Sequence, residues 1–101
     1  MSTKMSDADI QKRDNYICQY CGKDGLASLD NWHDCTIDHF IPAKHNGTND
    51  SNNRITSCGY CNSIKAGKEF DSIEDARKEI LKRRQELEQN FLAVRKTVRG
   101  I

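Results

Sequence analysis

The last third of the chain carries the clearest periodic signal. Ile73, Ile80, Leu87, Val94 and Ile101 recur every seven residues, and Ala76, Phe91 and Val98 widen the stripe. This spacing predicts one long helix from Ser72 to about Arg99 with a single apolar face. Ser72 and Asp75 resemble a capping box at its start, with Asp in place of Glu. Arg83 and Arg84 interrupt the stripe midway, so the face suits packing on the rest of the chain, or on a second chain, better than a continuous coiled coil. Before this helix the pattern changes. Residues 35–41, Cys-Thr-Ile-Asp-His-Phe-Ile, are rich in strand formers and end at Pro42. Residues 43–52 are nearly all turn formers and predict a loop. Asn53 to Ser57 predicts a second short strand, and Cys58 opens a helix that stops at Gly67. At the start, residues 6–15 predict a short helix capped by Ser6, with Asp7 and Asp9 suited to its first turn. Residues 16–24 have the shape of a zinc knuckle, and a polar loop runs on to Asp34.

The predicted class is therefore α+β. Strand, loop, strand and helix follow a knuckle, flanked by a short N-terminal and a long C-terminal helix. Residues 1–71 form the expected core, and residues 72–101 form a helix that packs on it or on a partner chain, within one domain overall.

Composition shows why such a chain needs a staple. It has 101 residues, of which 36% are hydrophobic and 31% charged. A small polar domain buries too little apolar surface to stand on its core alone. Four of the five cysteines form two C-x-x-C pairs, Cys18/Cys21 and Cys58/Cys61, with 36 residues between the pairs. The first residues lack the apolar run of a secretory signal, and no stretch is apolar enough to span a bilayer. These features predict a cytoplasmic setting, or the interior of a phage-infected host. In such a compartment paired thiols stay reduced and read as metal ligands. Four thiolates close a tetrahedron around zinc and leave no open position, which makes the predicted site structural. Cys35, on a predicted strand, reads as a buried small hydrophobe.

Charge says less about partners. The formal net charge is +1, and a zinc tetrathiolate would take it to −1. The distribution is uneven: residues 1–71 carry a net −2 and residues 72–101 a net +3. The basic run from Arg77 to Arg84 can grip phosphates, but a solvated helix face accounts for it as well.

The candidate chemistry lies between the cysteine pairs. Asp38-His39 sits at the end of the first strand, Asn53 lies five residues before Cys58, Asn62 follows Cys61, and Lys65 follows Asn62 by three on the same helix face. Oxygens from Asp38 and Asn62 suit a hard cation such as magnesium. That cation would polarise a phosphate, and neutral His39 would take a proton from water. Adjacent strand residues point to opposite faces, so Asp38 and His39 share a site only if the chain bends there.

The run Arg13 to Gly22, then Asp38-His39-Phe40-Ile41-Pro42, Asn53-Arg54-Ile55, Cys58-Gly59-Tyr60-Cys61-Asn62 and Lys65, resembles the HNH family. These are the ββα-metal, or His-metal finger, endonucleases. The resemblance covers about residues 10–68. It implies that His39 is the general base, that Asp38 is a ligand of a magnesium or manganese ion, and that Asn53 braces the loop and so orients His39. It also implies DNA, double-stranded or branched, as substrate, and ends with 5′-phosphate and 3′-hydroxyl. The last family letter is commonly His. Here it is Asn62, an HNN variant, which keeps an oxygen for magnesium but offers no imidazole to a softer metal.

Lys65, Arg54 and His45 are expected contacts to the nucleic-acid backbone, and His33 an ordinary surface residue. Two other readings share these features. A zinc-stabilised nucleic-acid-binding module without catalysis explains the cysteines and the basic helix, but not the spacing of Asp38-His39, Asn53 and Asn62. A protein-interaction module explains the long helix, although a homodimeric nuclease would use the same helix.

Overall fold

The computed structural model describes residues 5–101. Helix α1 (Asp7–Arg13) begins at a complete capping box: the Asp9 amide donates to Ser6 Oγ at 3.1 Å, and the Ser6 amide donates to Asp9 Oδ2 at 3.2 Å. Those bonds favour the charged carboxylate and hold Asp9 below its ordinary pKa. After α1 the backbone turns through Asn15 and Tyr16, both left-handed at φ 55°. The turn aims the knuckle at the sheet. Tyr16 O then accepts from the Gly25 amide at 2.8 Å. A Cβ on Gly25 would fall 2.2 Å from Cys35 Sγ, so no larger residue fits there.

The stretch expected to be a plain polar loop contains a five-residue helix, α2 (Leu29–His33), capped by Ser28. Its apolar residues Leu29 and Trp32 lie mostly exposed, so no buried face left a period in the sequence. Strand β1 (Cys35–His39) pairs antiparallel with β2 (Arg54–Cys58), with Cys35 opposite Cys58 and His39 opposite Arg54. It stops two residues before the expected Ile41, although the Phe40 amide still donates to Asn53 O at 2.8 Å. The loop between the strands holds two short 3-10 turns, Ala43–His45 and Ser51–Asn53. The second turn takes up Asn53, which had been expected to begin the strand.

Helix α3 (Gly59–Lys65) opens directly from β2. Its cap is Ala66, left-handed at φ 49°, with Gly67 following at φ 76°. Helix α4 (Ile73–Arg99) has 27 residues, or about 40 Å of helix. Its capping box is half formed: the Asp75 amide donates to Ser72 Oγ at 3.1 Å, and no reciprocal bond is present among the described residues.

A two-stranded sheet is marginal by itself, and the apolar core here is small. Its buried cluster is Cys18, Tyr20, Cys58, Cys61, Ala76 and Ile80, with Phe40, Ile55, Ile64, Phe70 and Ile73 packed around it. Half of that buried cluster is cysteine, so the interior is built around sulfur. The α4 stripe joins it only through its first two turns. Ala76 and Ile80 are buried, whereas Phe91, Val94, Val98 and Ile101 are 56%, 61%, 73% and 73% exposed. No helix among the described residues is long and apolar enough to cross a membrane.

Candidate metal centre and active site

The two C-x-x-C pairs converge from the knuckle and from the start of α3. Their four Sγ atoms lie within 4.8 Å of one another. Cys21 Sγ and Cys58 Sγ are 3.8 Å apart, and a tetrahedron with metal–sulfur bonds of about 2.3 Å has edges of roughly 3.8 Å. Within each pair a backbone amide donates to the first sulfur: Cys21 to Cys18 Sγ at 3.5 Å, and Cys61 to Cys58 Sγ at 3.3 Å. Arg84 of α4 adds a donor to Cys61 Sγ at 3.6 Å, with its guanidinium over the Tyr60 ring at 4.3 Å. These donors offset the negative charge of a tetrathiolate.

The thiols influence one another's ionisation. Hydrogen bonds from Cys58 and Cys61 hold the Cys18 thiol far down. Cys58 is pushed up to about 11 chiefly by its bond to Cys18, and Cys61 is pushed higher by the same neighbour. Four sulfurs at this spacing close a tetrahedron around a dication, so the donor set fits zinc as a structural ion. Cys35 stands apart, half-buried, with Asn31 O 3.5 Å from its sulfur. Burial raises its pKa.

A metal held by the four cysteines would anchor α3, and Lys65 of α3 reaches the end of β1. Asp38 is 7% exposed. Its Oδ2 accepts from the Tyr20 hydroxyl and lies 3.3 Å from Lys65 Nζ. Tyr20 sits between the two knuckle cysteines, so the same turn that presents sulfur to the metal also holds this carboxylate. Burial, and then the bond to Asp38, drive the Tyr20 phenol far above its ordinary pKa, which keeps it a donor.

Lys65 does not occupy the exposed position expected for a phosphate contact. It is 1% exposed, and its ammonium also donates to His39 O at 3.3 Å. The α3 face it shares with Asn62 looks onto the sheet, and burial there requires a counter-charge, which Asp38 supplies. Asn62 lies one turn before Lys65 on that face. Its amide is half-buried and makes no side-chain hydrogen bond among the described residues.

Arg54 is likewise committed inward. It is 8% exposed, with Nη1 3.0 Å from Asp7 Oδ1, Nε 2.9 Å from Asn49 O, and a further bond to Met5 O. It ties α1 to the loop and is not free to meet a phosphate. Arg13 does similar work, donating to Ser51 O at 2.8 Å and Arg54 O at 2.7 Å. His45 remains exposed on its 3-10 turn, with Nδ1 3.5 Å from Glu69 Oε1. His33 is exposed in α2.

Asn53 has both ends of its amide engaged. Its Oδ1 accepts from the Ile41 amide at 2.8 Å, and its Nδ2 donates to Ile41 O at 3.1 Å and Thr48 O at 2.8 Å. The loop is thereby closed on the end of β1. Gly47 completes that closure, since a Cβ there would fall 1.6 Å from Ile41 O.

His39 is the last residue of β1, where the chain turns into the loop. Its side chain and that of Asp38 have different partners. His39 faces the loop, where its Nε2 meets Asn49 Oδ1 at 2.7 Å. That contact leaves Nδ1 without a hydrogen-bond partner among the described residues. Sequence reasoning missed Asn49 and Tyr20. Asn49 lies in a run of turn formers that offers no way to single it out, and Tyr20 reads as an ordinary knuckle residue until Asp38 is seen beside it.

No curated protein sequence and no solved structure matches the chain. The HNH endonuclease family model matches residues 18–68, a span that runs from Cys18 through Asp38, His39, Asn53 and Asn62 to just past the end of α3. On that match, which takes in half of its length, the chain belongs to the HNH endonuclease family.

Proposed function

We propose that this protein is a metal-dependent DNA endonuclease that hydrolyses phosphodiester bonds by a single-metal mechanism. Two hard oxygen donors support this reading. Asp38 Oδ2 is taken by Tyr20 and Lys65, while its Oδ1 makes no hydrogen bond among the described residues. The Asn62 amide, one turn before Lys65 on α3, is likewise without a side-chain hydrogen bond among the described residues. Together they offer the one or two protein oxygens that magnesium or manganese takes. When bound, such an ion polarises the scissile phosphate and stabilises the leaving oxygen.

The protein's own groups supply the rest. His39 Nδ1 takes the proton from the attacking water, a step worth roughly a hundred- to ten-thousand-fold. Asn49 holds the ring and its tautomer. Asn53 holds the loop that carries Asn49. Lys65 and Tyr20 fix the Asp38 carboxylate. His45, exposed on the same loop, is the candidate contact to the substrate backbone. The observation that carries this reading is the His39–Asn49 bond at 2.7 Å, which leaves one imidazole nitrogen free as a base. Zinc is structural in this scheme. The free state of all five cysteines suits a reducing, cytoplasmic setting.

The test is nicking of supercoiled plasmid by zinc-loaded protein with magnesium, with manganese and with neither, comparing the natural chain with His39→Ala. Metal-dependent nicking that His39→Ala abolishes, with zinc content and helicity unchanged, is the expected result. A natural chain inert on plasmid, single strands and branched junctions with every metal would leave a zinc-stabilised binding module in its place.

A further inference from the structure

Beyond Arg84, helix α4 leaves the core. Only Ala76 and Ile80 of its 27 residues are buried. The molecule extends to 57 Å along its long axis against 30 and 20 Å across. The apolar stripe continues along this free arm, alternating steps of three and four residues through Leu87, Phe91, Val94, Val98 and Ile101. That is the seam of a two-helix coil.

We propose that the arm is a self-association surface, and that two copies of this chain pair through it with their helices antiparallel. A second copy is the occupant that the seam itself selects. With the two-fold axis between Leu92 and Ala93, Phe91 packs on the partner's Val94, and Leu87 packs on the partner's Val98. Each contact occurs twice, as a closed isologous pairing requires. Beside the seam, Glu88 meets the partner's Arg95, again twice. Arg95 needs such a neighbour. Its guanidinium covers the Phe91 ring at 5.3 Å, and its Nε is shut from solvent with no acceptor. A carboxylate from the partner's Glu88 supplies one.

The parallel alternative sets Arg84 against the partner's Arg84 and stacks two cores at the same end. It also leaves Arg95 facing the partner's Asn90. The antiparallel arrangement places the cores at opposite ends of the bar. Two arms of about 17 residues meet over roughly 25 Å and cover on the order of 1,000 Å² in total, the lower end for a specific interface. The dimer is therefore expected to exchange, with a dissociation constant in the micromolar range.

Sedimentation of the zinc-loaded full chain across about 1 to 200 µM tests the pairing, since that range brackets a micromolar constant. The natural chain is expected to be a concentration-dependent dimer. The double variant Phe91→Glu/Val94→Glu is expected to be monomeric with helicity and zinc content retained, because those side chains touch nothing in the core. Glu88→Arg and Arg95→Glu should each weaken the dimer about tenfold, by placing like charges opposite one another. An equimolar mixture of these two single variants should recover the natural affinity, because each then faces its complement. A natural chain that stays monomeric throughout would overturn the proposal. So would a dimer that survives Phe91→Glu/Val94→Glu. Failure of the mixture to recover would overturn the antiparallel register.

Discussion

Replacing Lys65 with methionine removes one charge and keeps the stem that packs beneath the sheet. In the natural chain the Lys65 ammonium and the Asp38 carboxylate lie 3.3 Å apart, with side chains 1% and 9% exposed. At an effective dielectric of about 20, two unit charges at that distance attract by roughly 5 kcal/mol. Deleting one partner of a buried pair costs about 3–5 kcal/mol, because the other charge is left without compensation. The Tyr20 hydroxyl stays on Asp38 and relieves part of this, so the lower half of the range is the better expectation. Urea unfolding at a fixed excess of free zinc measures the effect. With a slope of about 1–3 kcal/mol per molar, a loss near 3 kcal/mol moves the midpoint by about 1–3 M. Asp38→Asn in the Lys65→Met background should then cost much less than Asp38→Asn alone, giving a coupling of a few kcal/mol in a double-mutant cycle. A Lys65→Met penalty below about 1 kcal/mol, or strict additivity of the two changes, would show that the ammonium reaches solvent and that the pair does not hold Asp38.

Three further expectations concern other parts of the molecule. Zinc binds cysteines as thiolates and so competes with protons for them, which means that the metal's contribution to stability is lost as pH falls. Cys58 and Cys61 at least must each release a proton on binding, so the zinc dissociation constant should rise about a hundredfold per unit between pH 7 and pH 6, as read with a competing chelator. A pH-independent constant would mean the thiols are not the ligands. Asn49→Ala removes one bond of about 1 kcal/mol from His39 and should lower the nicking rate roughly five- to tenfold. Asn49→Asp keeps the acceptor and should retain activity with a shifted pH profile, whereas equal loss in both variants would mean that Asn49 only shapes the loop. Ala66→Gly relieves a left-handed alanine at the end of α3 and should raise stability by about 1 kcal/mol, visible as a higher thermal midpoint. No change would mean that the strain there is already compensated.

The elements themselves were largely legible, because each leaves a local mark. Ser6 and Ser72 mark helix starts, Pro42 marks the end of the strand region, and the seven-residue period marks α4. The cysteine pairs fixed the metal centre, since two C-x-x-C turns have only one economical way to meet. The site was legible as a set of residues but not as a set of contacts. Lys65 and Arg54 were expected outside, because basic residues usually face water. Both lie inside, because Asp38 and Asp7 sit across from them in space while being distant in sequence. Asn49 and Tyr20 carry no pattern that singles them out, since their importance comes only from the side chains they meet across the fold. Helix α2 escaped notice because a five-residue helix with no buried face produces no period to read.

The core built around four sulfurs has a thermodynamic consequence. Where apolar burial dominates, folding free energy is a property of the chain at a given temperature. With zinc held by those sulfurs it would also vary with an external concentration, since each tenfold change in free zinc above its dissociation constant shifts the balance by about 1.4 kcal/mol. The population of folded molecules is then set partly by the metal buffer of the compartment. Because the Cys18–Cys21 turn carries Tyr20, and Tyr20 holds Asp38, a chain that loses its zinc loses the arrangement at the end of β1 as well.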